Sequence, residues 1–226
     1  MKNSRQGKPS VIYSPNDTRI CYPAHMHTAD KHLCKDTNLS PLVRYFTLPE
    51  LVSNREPFHS LVRSVLSQQL STRAASTIIS RFEKHCQGEV SARKIVALET
   101  PVFRMIGVSR QKSTYLHHLA EHVIRNEDFW SSIDDKTSTE IQLELTSIKG
   151  IGIWTTQMFL MFNLKRPDIL PLGDLAIRES MCKLYSVSGK GKGLERKLQA
   201  IGKAWSPHRT RASRYLWAWR DNGYNL

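Results

Sequence analysis

Apolar residues recur at intervals of three and four along most of the chain, the spacing that places them on one face of an α-helix. The clearest run follows Pro57 and comprises Phe58, Leu61, Val62, Val65 and Leu66. A second begins after Ser71, a residue suited to cap a helix, and comprises Ala75, Ile78, Ile79 and Phe82. Further helices are predicted over 24–37, 41–47, 91–98, 101–106, 109–125, 175–185, 193–204 and 208–221. No strand pattern is found, so an all-α fold is predicted.

The segment from Leu145 to Glu179 contains a tight glycine turn between two apolar helical patterns. The turn is Lys149-Gly150-Ile151-Gly152; Ile141, Leu145 and Ile148 precede it, and Ile153, Met158, Phe159 and Phe162 follow it. This order predicts a helix-hairpin-helix. Glycines let backbone N–H groups approach a phosphate, and the second helix presents its positive end to the same anion. An ordinary helical hairpin that uses glycine for turn geometry is the alternative, because short glycine patterns are weak signals.

Charge and size narrow the class of protein. The 226 residues are 40% hydrophobic, which is enough for a sizeable core. A formal net charge of +13 indicates a polyanionic partner. From Lys183 onward there are ten Lys or Arg and two Asp or Glu, so we expect this part to face phosphates. A basic surface that is merely solvated is the alternative.

The spacing of the cysteines argues against metal sites, and the absence of long apolar runs argues against membrane and secreted proteins. Cys21, Cys34, Cys86 and Cys182 are far apart, which argues against a zinc site and against an iron-sulfur cluster. No run of 18 apolar residues and no signal-peptide core occurs. We therefore expect an intracellular protein without membrane association, cytoplasmic (nucleoid) in a bacterium or nuclear in a eukaryote.

The sequence after the hairpin completes a recognisable combination. Ile169-Leu170-Pro171-Leu172-Gly173-Asp174 leads directly into the next predicted helix, and Arg178 follows. The hairpin, the aromatic Trp154 after it and this LPxxDxxxR element together resemble the helix-hairpin-helix DNA glycosylases, specifically the 3-methyladenine (alkylpurine) branch. The combination is far more specific than any of its parts.

The resemblance covers about residues 25–222 and implies a domain organisation. It implies one glycosylase domain over 23–226, with a central lobe at about 55–165 and a second lobe built from the N-terminal and C-terminal helices. A DNA-binding cleft would lie between the lobes. Residues 1–22 are polar and aperiodic and are expected to form a tail or strap. Because no strand pattern is found, the β-rich N-terminal domain of some larger family members is not expected.

The family assigns the catalytic role to the aspartate that matches Asp174. By resemblance, the protein flips an alkylated purine out of double-stranded DNA and hydrolyses its N-glycosidic bond, which starts base excision repair. Because 3-methyladenine and 7-methylguanine are cationic leaving groups, the carboxylate chiefly stabilises the oxocarbenium sugar and polarises water. The alternative is that Asp174 only caps a helix.

Three residues match positions of the family's base pocket: Trp154, Met158 and Trp217. Trp154 stands where strand-cleaving relatives carry a lysine nucleophile, so Schiff-base chemistry lacks its amine and a monofunctional enzyme is expected. Its indole can stack on an electron-poor base. Met158 replaces an aromatic of the relatives, which leaves the substrate range open. Core packing is the alternative for Trp217.

The resemblance also implies DNA contacts. The segment around Gln69 is similar to the family turn that enters the minor groove, where Gln69 would fill the gap left by the flipped nucleotide, Leu70 could instead be the wedge, and Ser71 would face the groove. An ordinary polar turn is the alternative. The predicted phosphate contacts are Ser109, Arg110 and Lys112, and the hairpin residues Gly150, Gly152 and Thr155. Basic side chains at 110 and 112 could also simply be solvated.

No cofactor is expected to be required. Family members often hold a monovalent cation at the hairpin, here through the carbonyls of Thr146, Ile148 and Ile151, so Na⁺ or K⁺ is expected there. A monomer is expected. Two other functions stay open at this point: a non-catalytic module that binds abasic or distorted DNA, and a glycosylase that also cleaves the strand as an AP lyase. Asp174 argues against the first, and Trp154 together with the lack of an iron-sulfur quartet argues against the second.

Overall fold

The fold, a computed structural model, is described for residues 26–52 and 56–226, and over these residues it is all-α. Its helices are α1 (Thr28–Leu33), α2 (Ser40–Tyr45), α3 (Pro57–Ser67), α4 (Thr72–His85), α5 (Ala92–Ala97), α6 (Thr100–Ile106), α7 (Arg110–Arg125), α8 (Glu127–Ser131), α9 (Ser138–Ser147), α10 (Ile153–Phe162), α11 (Leu175–Leu184), α12 (Gly191–Lys203) and α13 (Arg209–Asp221). This confirms the predicted fold class. The tail or strap expected over residues 1–22 lies outside the described residues.

The helix boundaries agree with the apolar pattern except in two places. Within the described part of the helix predicted over 24–37, α1 extends only from Thr28 to Leu33, and residues 34–37 form turns and a bend. The helix α8 was not predicted, because with five residues it is too short to show an apolar repeat, although Phe129 and Trp130 pack against the core. Elsewhere, local signals are enough; for example, Ser71 caps α4 by accepting a hydrogen bond from the Ala74 N–H.

The core consists of two hydrophobic clusters. The first, here the central cluster, is made by buried side chains between Phe58 and Leu160, from α3 to α10. The second, here the terminal cluster, combines side chains of α1 and α2 with those of α11, α12 and α13. Helices from the two ends of the chain therefore pack together, and the central helices form their own core.

Buried polar contacts join the two ends of the chain within the terminal cluster. The Asp30 carboxylate, 6% exposed, accepts hydrogen bonds from Arg211 Nε (2.5 Å), Arg211 Nη2 (2.6 Å) and the Tyr215 hydroxyl (2.8 Å). Burial, and then the hydrogen bond to Asp30, raise the pKa of Tyr215 above its ordinary value. A buried carboxylate needs such partners, since an unpaired buried charge is strongly destabilising. This pairing fixes α1 against α13.

The apolar side chains of helix α10 are spread around the helix and not confined to one face, and only some of them enter the core. Of the four apolar residues that marked it in the sequence, Phe159 is buried, Met158 is half-buried, and Ile153 and Phe162 are exposed. Because the core covers only one side of α10, an apolar face of the helix remains exposed. That face, which includes Trp154, borders the candidate site. None of the helices in the described ranges is long and apolar enough to cross a membrane.

Candidate active site

Asp174 is the residue around which the candidate site is built. It is the N-cap of α11, and its Oδ1 accepts a hydrogen bond from the Ile177 N–H at 3.0 Å. Two indoles also donate to the same carboxylate: Trp217 Nε1 to Oδ1 at 3.2 Å and Trp154 Nε1 to Oδ2 at 2.9 Å. Asp174 therefore does cap α11, but the cap accounts only for the Ile177 N–H and not for the two indole donors. The structure brings together Asp174, Trp154 and Trp217 from three separate helices.

An exposed aromatic wall continues from this carboxylate. Trp154 is 47% exposed, and the Trp217 ring lies 5.8 Å from the Phe162 ring, centroid to centroid. Phe162 is 41% exposed, so the wall presents an aromatic surface to solvent beside the carboxylate. Sequence reasoning placed Phe162 in the apolar stripe of α10 and missed its place at the site. No local signal distinguishes it from the buried Phe159.

A pocket of about 450 Å³ adjoins Phe162 between α3 and α10. Met158, Phe159 and Phe162 form its apolar side, and Ser60, Ser64 and Asn163 are among its polar lining residues. Asn163 Nδ2 donates to Ser60 Oγ at 2.6 Å, which joins the end of α10 to α3. Met158 therefore lines a pocket that also includes Phe162, a member of the aromatic wall.

The two hairpin glycines have different structural requirements. Gly150 has φ of +100°, and a Cβ there would fall on the side chain of Tyr115, so both its conformation and its packing require glycine. Gly152, the N-cap of α10, has φ of −94° and nothing within 4 Å of where a Cβ would stand. The space in front of Gly152 is therefore open to a ligand.

A groove of about 450 Å³ runs along the hairpin and collects most of the predicted DNA-contact residues. It is lined by Gln68, Gln69, Ser109, Gln111, Lys112, Tyr115, Thr146, Ile148, Lys149, Gly150, Ile151 and Gly152. Arg110 is exposed at the first turn of α7, where the Ser109 hydroxyl caps the helix by accepting from the Lys112 N–H. Residues from three distant parts of the sequence thus meet in one groove.

The loop between α3 and α4 is held against the hairpin. Gln69 has φ of +56°, a left-handed conformation that is uncommon for a residue other than glycine. Leu70 and Ser71 beside it are exposed. Gln68 Nε2 donates to the Gly150 carbonyl at 3.0 Å, a contact that sequence reasoning missed because it joins residues 82 positions apart. The loop is therefore positioned by the glycine turn.

Two of the predicted phosphate contacts do not have the expected geometry. Thr155 is 5% exposed, so its hydroxyl lies inside the fold and not on the surface that a phosphate would touch. Lys112 Nζ donates to the Leu66 carbonyl at 2.6 Å, and burial lowers the pKa of Lys112. This lysine ties α7 to the end of α3. The burial of Thr155 argues against a direct contact between its hydroxyl and a phosphate. Lys112 is half-buried, already donates to a carbonyl and still lines the groove, so both phosphate contacts stay predictions.

The basic C-terminal part of the chain is likewise only partly available to an anion. Arg209 pairs with Asp168 through Nε (2.7 Å) and Nη2 (2.8 Å), and Arg211 pairs with Asp30. Arg214 donates to the Pro49 carbonyl. These three arginines stabilise the fold, so the expectation that this part as a whole faces phosphates is too broad. Lys190, Lys192 and Arg196, among others, are exposed.

A family model and similar curated proteins point to the same family. Residues 62–206 match the family described as HhH-GPD superfamily base excision DNA repair protein. The chain is 33% identical over 171 residues to DNA-3-methyladenine glycosylase 1 of Schizosaccharomyces pombe, covering 74% of this chain and 73% of that protein. It is 29% identical over 196 residues to the alkylbase DNA glycosidase-like protein mag2 of the same organism, covering 84% and 91%.

Solved structures agree with the sequence matches. The structure of DNA-3-methyladenine glycosidase from Bacillus halodurans has a TM-score of 0.76 and 35% sequence identity, covering 85% of this chain and 89% of that chain. The S. pombe 3-methyladenine DNA glycosylase Mag1 in complex with abasic DNA has a TM-score of 0.71 and 30% identity, covering 84% and 95%. The chain belongs to the HhH-GPD superfamily of base excision DNA repair proteins, in its 3-methyladenine glycosylase branch.

Proposed function

We propose that the protein is a monofunctional DNA glycosylase that excises alkylated purines of the 3-methyladenine and 7-methylguanine type from double-stranded DNA. The observation that carries this proposal is the Asp174 carboxylate, held by the indoles of Trp154 and Trp217 beside an aromatic wall. The relatives described above, which are named as 3-methyladenine DNA glycosylases, support the substrate class.

The chemistry follows from the charge of the substrate. An alkylated purine leaves as a neutral base from a cationic nucleoside, so the reaction needs little acid catalysis. The developing positive charge on the sugar is stabilised by a negative group placed beside it in a site of restricted solvent access. Asp174 supplies that negative group and orients the water that attacks the sugar.

The aromatic wall provides the recognition that such a substrate needs. A cationic base is attracted to the face of an indole by roughly 0.5–2 kcal/mol, more when the site is desolvated. Flipping a nucleotide out of the helix costs a few kcal/mol and costs least for damaged bases, so part of the selectivity comes from the DNA itself. Met158 leaves more room than an aromatic would, which favours a broad range of alkylated purines.

The hairpin and the loop at Gln69 suit the DNA on either side of the flipped nucleotide. Gly152, at the N-terminus of α10 with open space where a side chain would stand, suits a phosphate, and exposed Gln69 and Leu70 suit the gap in the helix. DNA-bound relatives support DNA as the partner. Thr146, Ile148 and Ile151 line the same groove, and their carbonyls are proposed as oxygen ligands to Na⁺ or K⁺ beside that phosphate. No other cofactor is proposed, and the protein is proposed to act as a monomer.

The two hydrophobic clusters support a domain organisation of two lobes, a central lobe over about 55–165 and a second lobe from the N-terminal and C-terminal helices. Because Asp174 follows the link between the lobes, the site lies where the two cores meet.

The test is release of free 3-methyladenine from methylated duplex DNA by the wild-type protein and by Asp174→Asn. We expect excision to be lost in the variant, while affinity for abasic DNA stays within about tenfold, because removing one carboxylate does not weaken phosphate contacts. Excision at near the wild-type rate by Asp174→Asn would show that the catalytic assignment is wrong. Tight binding of abasic DNA by a wild-type protein that releases no base would favour the non-catalytic module.

The monofunctional character is tested separately. Without an amine at residue 154, borohydride should trap no covalent complex between the protein and abasic DNA. A robust trapped band would instead indicate a glycosylase/lyase.

A further inference from the structure

The Asp174 carboxylate is held by three N–H donors that come from three parts of the chain. The Ile177 N–H and Trp217 Nε1 both donate to Oδ1, at 3.0 and 3.2 Å, and Trp154 Nε1 donates to Oδ2 at 2.9 Å. A helix N-cap needs only the first of these. The two indole contacts join residues 20 and 43 positions away from Asp174 and are therefore a product of the tertiary fold.

The number of donors differs between the two carboxylate oxygens. An ionised carboxylate offers about four lone-pair directions, two for each oxygen. Oδ1 has two donors and is filled, whereas Oδ2 has one donor and keeps one lone pair. An indole can donate but cannot accept a hydrogen bond at its nitrogen, so neither tryptophan can exchange a proton with the carboxylate. The arrangement fixes the orientation of the carboxylate and leaves a single defined acceptor position.

We propose that Trp154 and Trp217 are positioning residues that act through their indole N–H groups, and that the remaining lone pair of Asp174 Oδ2 is the one presented to the sugar and to the attacking water. This inference rests on the function proposed above. It assigns to the two tryptophans a role separate from stacking on the flipped base, because stacking uses the face of the ring and positioning uses the N–H at its edge.

The two roles can be separated by replacing each tryptophan with phenylalanine, which keeps an aromatic face and removes the N–H. A matched control is Trp219→Phe: Trp219 lies on α13, two residues from Trp217, and among the described residues its buried indole N–H has no hydrogen-bond partner. The same chemical change there removes no contact to Asp174. Any loss common to all three variants then reports on packing.

Two quantities are measured on DNA with one 7-methylguanine: the single-turnover rate of excision, and the affinity for a 2′-fluorinated, uncleavable form of the same lesion. For Trp217→Phe and Trp154→Phe we expect the rate to fall by about 10- to 100-fold, the effect of losing a hydrogen bond to a charged group, with affinity within about threefold. Trp219→Phe should excise at the wild-type rate. Loss of affinity with an unchanged rate would overturn the positioning role in favour of stacking, and an unchanged rate in both variants would also overturn it.

A double-mutant cycle with Asp174→Asn adds a readout that a purely structural role would not move. If Trp217 acts through the carboxylate, Trp217→Phe should change the slow residual excision of Asp174→Asn by less than about twofold. A further loss as large as in the wild-type background would overturn the inference. Failure of the proposed function is distinguishable, because the wild-type protein itself would then release no base.

Discussion

At the scale of single residues, Gly150 and Gly152 contribute to the hairpin in different ways. Gly150 is required by the fold, through its positive φ and the side chain of Tyr115 against it. Gly152 has an ordinary φ and nothing within 4 Å of where a Cβ would stand, so neither its conformation nor its packing requires glycine, and the proposed approach of a DNA phosphate gives a reason for it. Only the structure separates these two roles, since the sequence presents the glycines as equivalent.

The first prediction concerns Gly152→Ala. We expect the variant to fold and to bind lesion-containing and plain duplex DNA more weakly by the same factor, because the added methyl blocks a backbone contact that carries no base information. The measurement is a pair of binding titrations at one fixed salt concentration. Gly193→Ala, which also meets nothing within 4 Å and lies on α12, should leave both affinities unchanged.

The contrary results are clear. A loss confined to lesion DNA would give the hairpin a role in reading the base, and no loss on either DNA would mean that Gly152 does not lie against the backbone. Gly150→Ala is not a substitute, because strain and the contact with Tyr115 would destabilise the fold itself.

At the scale of elements, the loop between α3 and α4 depends on other elements for its position. Gln68 ties it to the glycine turn, and Lys112 ties the end of α3 to α7 through the Leu66 carbonyl. Gln69, in its left-handed conformation, follows directly. The loop and the hairpin are therefore held together as one surface. The proposed function requires this, because the loop would enter the DNA helix beside a phosphate bound at the hairpin.

The second prediction is that Gln68→Ala loosens this loop without unfolding the protein. Removal of one hydrogen bond of about 0.5–1.5 kcal/mol should speed amide hydrogen exchange over residues 68–71 by about two- to tenfold. Gln111→Ala is the control, because Gln111 lines the same groove but donates to the Tyr115 hydroxyl and not to the hairpin turn. Equal exchange in wild type and Gln68→Ala would show that the contact does not hold the loop.

At the scale of the whole molecule, part of the positive charge is neutralised inside the fold. Burial works against ionisation of Asp168, but hydrogen bonds from Arg209 and Ser206 outweigh it and hold the pKa of Asp168 below its ordinary value. This pair joins the segment after α10 to the start of α13. A lowered pKa means that the folded state binds this proton less readily than the unfolded state does.

The third prediction follows from that sign. The contribution of Asp168 to the free energy of unfolding is fully present above the unfolded pKa of about 3.9 and is lost as the pH falls through the lower folded value. Asp168→Asn should therefore be less stable than wild type by a constant amount from neutral pH to about pH 5, and the difference should shrink below about pH 4. Denaturant unfolding at several pH values measures it.

Asp221→Asn is the control for that series, since Asp221 is exposed at the end of α13. Its free energy of unfolding at neutral pH should differ from that of wild type by much less than that of Asp168→Asn. A difference between wild type and Asp168→Asn that stayed the same down to pH 3 would show that the pairing with Arg209 does not lower the pKa of Asp168.

The sequence by itself determined the features that arise within a few residues or from composition. Helix positions follow from apolar spacing, which is local, and the N-caps of α4 and α11 follow from Ser71 and Asp174. The glycine turn, and the resemblance to the glycosylase family that rests on it and on the residues after it, also follow from contiguous residues. Helix α8, with five residues, is too short for an apolar repeat, and so the pattern did not reveal it.

Only the tertiary structure decided what each side chain at the site contacts. That Thr155 is buried, that Lys112 bonds to a carbonyl and that Arg209 bonds to a carboxylate all depend on which elements pack against them. The same holds for Trp154 and Trp217, whose N–H groups reach Asp174 from different helices. Apolar spacing identifies the side of a helix that is buried, whereas a hydrogen bond between distant residues requires a distance near 3 Å that no local pattern encodes.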